Sequence, residues 1–413
     1  MATRYPTEVF ESLATPLTVA TLNLMGGALS KLGLNIVAID PNILQNRAMA
    51  MTRLSDFGPG DYPEALDVLC QSLDEDVHLS LAGRIAIRDH LIRALSNRLR
   101  QVELQKSRPE IFAAPLNQPL IVAGLPRSGT TFLHRLLALH PEARAIPFFE
   151  LREPIPRPGP DRRRSQARNS LGAMKRLAPQ LDMKHFMDAD EPEECTMLFD
   201  SCLWSGTFFR LTPVYSYLSW FLKQDPEPGY RCYRRYLQVF QSSYPKMHLT
   251  LKSPDHVGYL HTIAKVLPEA RIVHTHRDPV PAITSYSSLM HTVHGVVASS
   301  LDARRSSSAG LDLWARLMEY HLANRDDIPD DRIVDISYDK IRTDPLETVR
   351  QIYRHFGWEV DGDYEARLKE HIGLRPQHKH GKHSYTLEEY GLDADEIRHR
   401  FEDYGARFLG EGS

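Results

Sequence analysis

The run Gly124-Leu-Pro-Arg-Ser-Gly-Thr-Thr131 is built to hold an anion. An apolar segment, LIVAG (120–124), enters a glycine-bounded turn, and a helix is predicted to open near Thr130. Backbone N–H groups at such a helix start converge on one spot. Gly129 permits close approach, and the hydroxyls of Ser128, Thr130 and Thr131 add donors. The spacing from Gly124 to Gly129 is that of a nucleoside-triphosphate loop, but Thr130 stands where such a loop carries its lysine. The cation lies inside the turn instead, at Arg127. The loop therefore suits a phosphate-type group, though not a conventional triphosphate.

A second anion site follows the segment RIVHTH (271–276). Arg277 stands at its exit, and Ser285 comes eight residues later on a predicted helix, facing the same side. The guanidinium fork binds two oxygens of a phosphate. Two anion sites at the ends of different parallel strands imply a ligand with two separated anionic groups.

The elements that must position these groups change character along the chain. Up to about residue 115 the periodicity is helical; between 79 and 104, Ile85, Leu91, Ile92, Leu95, Leu99 and Val102 recur at helical spacing among arginines. Beyond it, LIVAG, LTLKS (249–253), RIVHTH and RIVDISY (332–338) alternate with helical stretches, the pattern of a parallel sheet covered on both faces. The predicted fold class is α/β, a P-loop-like core with a central parallel sheet flanked by helices. It comprises an N-terminal helical region (1–115) and an α/β domain (116–413). The segment PIPRPGPDRRR (154–164) is predicted to be an extended loop.

Composition bounds the partners. With 50 Lys and Arg against 53 Asp and Glu, the chain lacks the basic excess of a nucleic-acid coat, so no nucleic-acid partner is expected. Residues 17–37 carry one charge, Lys31, but Asn23, Gly26, Gly27, Ser30 and Asn35 interrupt them; a soluble helix pair is expected rather than a membrane span. The N-terminal residues lack a basic start followed by an apolar run. The four cysteines, Cys70, Cys195, Cys202 and Cys232, form no Cys-x-x-Cys pair, and neither a disulfide framework nor a structural zinc is predicted. A cytoplasmic location is the corresponding expectation.

The two anion motifs, in this order, resemble those of sulfotransferases that use 3′-phosphoadenosine 5′-phosphosulfate (PAPS). The resemblance covers roughly residues 117–400. It is strongest at GLPRSGTT and HRDPVPAITS, and extends to LKSPDH (251–256), YDKIRTDP (338–345) and HKHGKHSY (378–385). It is closest to the group containing tyrosylprotein and many bacterial sulfotransferases. It implies that Arg127, Ser128, Gly129, Thr130 and Thr131 hold the 5′-phosphosulfate, and that Arg277, Ser285 and Lys382 hold the 3′-phosphate. It also implies that Tyr338 lies near the nucleotide and that Lys252 stabilises the leaving side of the transferring group. The implied acceptor is a hydroxyl or amine of a small molecule, lipid or carbohydrate, with no metal required.

In-line sulfuryl transfer to a hydroxyl also needs a general base. Glu150 ranks first by analogy with the tyrosylprotein enzymes, His185 second because other branches use histidine, and Glu194 third. Trp204, Phe208 and Tyr217 are candidates to line an acceptor pocket. The alternative is a nucleotide-dependent kinase or phosphotransferase, with Asp278 its best metal-holding residue, although Thr130 in place of the loop lysine argues against it. The histidines between 371 and 383 are interleaved with lysines, which favours an anion over a metal there.

Overall fold

The computed structural model describes residues 37–177, 186–374 and 386–410. Five parallel strands form the centre: β1 (Leu120–Gly124), β2 (Ala143–Ala145), β3 (His248–Lys252), β4 (Arg271–His276) and β5 (Ile333–Ser337), in the order β2-β3-β1-β4-β5. The four strands predicted from apolar runs are present; β2, three residues with no such run, is an addition at the sheet edge.

Alternation along each strand sorts side chains into two layers. Leu120, Val122, Val273, Val334 and Ile336 pack with the helices Thr130–Leu137 and Pro345–His355. Ile121, Ala123, Leu251 and Ile272 face the other way, into the larger core. All five residues of β1 are buried, as a central strand requires. Its register places Val122 beside Lys252 on β3 and Gly124 beside Thr275 on β4.

The preceding helices join that larger core: Leu44, Leu66 and Leu95 share one apolar cluster with Ile121 and Leu251. The longest, Leu81–Ser107, is capped by Ser80, whose hydroxyl accepts from the Gly83 N–H at 3.0 Å. The Ser80 N–H in turn donates to the Val297 carbonyl at 2.8 Å, tying this helix to the helix Pro279–Val297. The proline–arginine segment runs as loop to Arg162, and a helix opens at Arg163. No helix among the described residues is long and apolar enough to cross a membrane. The segment 17–36 lies outside the described residues.

One expectation is corrected here: Cys202 and Cys232 form a disulfide, with Cα atoms 6.1 Å apart and a sequence separation of 30. The helix Glu227–Ser243 brings them together by packing on the segment before it, where Phe199 stacks on Tyr233 at 4.7 Å. Linear spacing carries no trace of that contact. Cys70 and Cys195 are free and buried.

Burial lowers the imidazoles of His134, His248 and His294 to about 4 and that of His256 to about 3, so all four fold neutral. Unfolding returns each to roughly 6.5, so between about pH 6.5 and 4 the unfolded chain binds protons that the native chain refuses. Stability is therefore full above that window and is lost as pH falls through it, by up to about 1.4 kcal/mol per histidine per pH unit. The thermal midpoint should drop steeply between pH 6.5 and 4; a flat profile would contradict the burial of these rings.

Candidate active site

The Gly124–Thr131 loop is held by unusual backbone at three places. Arg127 and Gly129 adopt left-handed φ values of +66° and +84°, and Gly124 sits at +154°. Such turns aim successive N–H groups to one side, and a non-glycine residue at positive φ is strained, a feature common at ligand clamps. A Cβ on Gly124 would stand 2.2 Å from Thr275 Oγ1, and one on Gly129 3.2 Å from the Tyr338 ring. Gly124 has no room for a side chain, and at Gly129 the ring would have to give way by a few tenths of an ångström at a left-handed φ that already disfavours one.

Ser128 braces this loop from below. Its hydroxyl is fully buried, donates to the Leu125 carbonyl at 2.6 Å and meets Thr275 Oγ1 at 2.7 Å. Arg127 and Thr131, by contrast, are exposed, while Thr130 is buried at the helix start.

Arg277 closes the loop from the β4 side. Its guanidinium donates to the Arg127 carbonyl and lies 4.3 Å over the Tyr338 ring, while its backbone N–H donates to Tyr404 Oη at 3.2 Å. Arg127, Gly129, Arg277 and Tyr338 are thus brought to one place. Ser285 lies further along the helix Pro279–Val297 and is buried. Asp278 starts that helix by accepting from the Val280 N–H at 2.9 Å, so the carboxylate considered for a metal serves as a helix cap.

On the other flank of β1, Lys252 ends β3 with its side chain 1 % exposed. A buried ammonium must be paired, and Lys252 Nζ donates to Glu194 Oε1 at 2.9 Å. Glu194 Oε2 accepts from Arg210 at 2.8 Å; Arg210 also reaches Asp255 Oδ2 at 2.9 Å and Thr207 Oγ1 at 3.0 Å. Thr196 donates to the same Asp255 oxygen at 2.6 Å. Burial raises the Asp255 carboxyl, against the opposing pull of Arg210. Burial alone would depress Arg210, but Asp255 and Glu194 outweigh it and hold the guanidinium above its ordinary range. Arg210, from the helix Thr207–Leu211, has a sequence context of TFFRL that gave no sign of this role.

The three base candidates part company. Glu194 touches Lys252 directly. Glu150 sits on the short helix Phe148–Arg152, after edge strand β2, with its two oxygens held by Arg144 at 2.7 and 2.9 Å. His185, like Lys382 in the late basic segment, lies outside the described residues. The aromatics considered for an acceptor pocket belong to the core: Trp204, Phe208 and Tyr217 all lie in the large cluster. Tyr217 is fully buried, with its hydroxyl accepting from the Ser205 N–H at 3.1 Å.

Comparison with known proteins agrees with this architecture. Residues 119–362 match the sulfotransferase family. The chain is 30% identical to the sulfotransferase STF1 of Mycobacterium tuberculosis, with 89% of this chain and 99% of that one covered and a TM-score of 0.74. It is 26% identical to the sulfotransferase STF9 of Mycobacterium avium, with 90% and 97% covered and a TM-score of 0.80. Among curated relatives, it is 25% identical over 295 residues to the omega-hydroxy-beta-dihydromenaquinone-9 sulfotransferase Stf3 of Mycobacterium bovis, covering 66% of this chain and 71% of that one.

Arg210→Met would leave Glu194 and Asp255 facing each other without their shared cation. Removing one partner of a buried pair costs about 3 kcal/mol or more. Urea unfolding should show that loss, whereas an unchanged midpoint would mean the network is solvated and dispensable.

Proposed function

The chain belongs to the sulfotransferase family, and we propose that it transfers a sulfuryl group from PAPS to a hydroxyl on a small, apolar acceptor. The observation that carries the donor assignment is the convergence of Arg277, Tyr338 and the Arg127–Gly129 turn. Two cations on neighbouring elements suit a nucleotide with anionic groups at both ends, and the side-chain-free surface at Gly129 admits close approach beside an aromatic ring. Arg127, Thr130, Thr131 and the loop amides would hold the 5′-phosphosulfate, with Ser128 keeping the loop in shape. Arg277 and Ser285 would hold the 3′-phosphate, with Lys382 a further contact.

When bound, the donor supplies the activated sulfonate. The protein's part is to place cations where charge grows and a base where a proton leaves. Lys252, buried and pre-oriented by Glu194, would neutralise the leaving bridging oxygen. For the base, the direct contact with Lys252 favours Glu194 over Glu150, which follows the edge strand β2 and pairs with Arg144 instead. A carboxylate already beside the leaving-group cation needs only a small displacement to face an acceptor hydroxyl. The lipid quinone in the name of Stf3 supports an apolar hydroxylated acceptor here as well.

Thermal-shift assays with 3′,5′-adenosine bisphosphate, PAPS, ATP and AMP test the donor. The first two should stabilise the protein strongly and the others weakly, and Arg277→Ala should abolish the effect; equal stabilisation by ATP would overturn the assignment. In turnover assays with a hydroxylated quinone, Lys252→Ala should lose about 100-fold or more in kcat, as expected for one preorganised donor. Glu194→Gln should lose a comparable factor with donor binding retained, while Glu150→Gln stays near wild type. The reverse ranking of the two glutamates would return the base to Glu150.

A further inference from the structure

On the face of the sheet turned away from the anion loop, β4 and β5 bring together a set of side chains that sulfuryl transfer does not use. Val273 and Thr275 face the loop side; His274 and His276 therefore face the opposite layer, where β5 sets Asp335 directly beside His274. Asp335 Oδ1 lies 2.8 Å from His276 Nε2 and 3.3 Å from His274 Nδ1. All three can offer ligand atoms within 4.8 Å of one another. The His321 ring, from the helix Ala303–Asn324, stands 4.7 Å from that of His274.

Hydrogen bonding leaves this cluster incomplete. His274 is fully buried; its Nδ1 meets Asp335 Oδ1 only at 3.3 Å, and its Nε2 has no hydrogen-bond partner among the described residues. His321 Nε2 and His276 Nδ1 are buried in the same condition. Native proteins rarely leave such atoms orphaned, because a buried polar group without a partner has lost its water and gained nothing in return. A neutral imidazole nitrogen carries a lone pair, and two imidazoles with one carboxylate form a common donor set for zinc and non-haem iron.

We propose that His274, His276 and Asp335 bind a divalent transition-metal ion that joins β4 to β5 behind the anion loop. Ligands of a tetrahedral ion lie about 3.3 Å apart, so the His274–Asp335 pair already has the right separation and the His276–Asp335 pair needs to open by about 0.5 Å. Asp335 Oδ2 accepts from Arg325 at 2.9 Å, which orients the carboxylate as outer partners of metal ligands do. Phe408 stacks on His276 at 4.2 Å and holds the ring in place. A cavity of about 680 Å³, lined by His276, Asp335, Ser337, Lys340 and Arg407 among others, gives an ion and its water a way in. Nitrogen ligands exclude calcium and magnesium, which take oxygen. The site stands on its own geometry and does not depend on the sulfuryl donor.

The test uses the full chain, stripped with chelator and titrated with zinc alone by calorimetry. Wild type should take up one equivalent, and His276→Ala and Asp335→Asn should each weaken uptake by about tenfold or more. Circular dichroism checks that the variants fold. Cobalt titration of wild type answers the same question without substitution, through ligand-field bands that saturate at one equivalent. A variant with His378, His380 and His383 replaced by alanine should keep that equivalent. No stoichiometric uptake by wild type, or loss of uptake in the tail variant with retention in the His276 and Asp335 variants, would overturn the assignment.

Discussion

The cleft depends on one short strand. β1 is buried along all five residues and paired on both edges, with β3 on one side and β4 on the other. Such a strand cannot slide without losing two hydrogen-bond ladders, and a slip of one residue would turn its apolar side chains out of both cores. The loop after Gly124 is therefore fixed relative to Lys252 and Arg277. Strands in a sheet stand about 4.8 Å apart, so the two flanking strands that end in these cations lie about 10 Å from each other across the loop. That span is set by backbone pairing before any side chain is chosen.

The side of the cleft at Lys252 is stabilised by a different force. Lys252, Glu194, Arg210 and Asp255 carry two charges of each sign, so the group as a whole is neutral although it is largely out of water. Such networks add little to net stability, since desolvation offsets most of the attraction. Their value is orientation: each member has a partner with defined geometry, and the ammonium is held ready in a low-dielectric setting. The loop side contrasts with this. Its donors are backbone amides and exposed cations, and its shape is held by the buried Ser128–Thr275 contact and the Arg277–Arg127 bond.

Much of this was legible in the residue order. LIVAG, RIVHTH and the runs near 249 and 332 announced four strands, and the glycine and arginine spacing announced the loop and its partner Arg277. These signals are local: a buried strand needs a continuous apolar run, and a tight turn needs glycine. Glu194 was one of three base candidates, beside Glu150 and His185, because charge in a cluster such as Asp188 to Glu194 does not say which member turns inward. Arg210 gave no signal at all, and the aromatics Trp204, Phe208 and Tyr217 read equally well as pocket or core.

The α/β class, four of the strands, the glycine-bounded turn after β1 and the family resemblance were all readable in the residue order, since each follows from a pattern within a dozen neighbouring residues. Tertiary structure alone decided that Cys202 meets Cys232, that Glu194 rather than Glu150 reaches Lys252, and that Asp335 joins His274 and His276. The Cys202–Cys232, Glu194–Lys252 and His274–Asp335 pairs lie 30, 58 and 61 positions apart in the chain, each with its ends on separate elements. The physical reason is common to all of them: no local preference encodes which distant side chain will share a buried charge or a bond, and only the packing of sheet and helices brings the partners within reach.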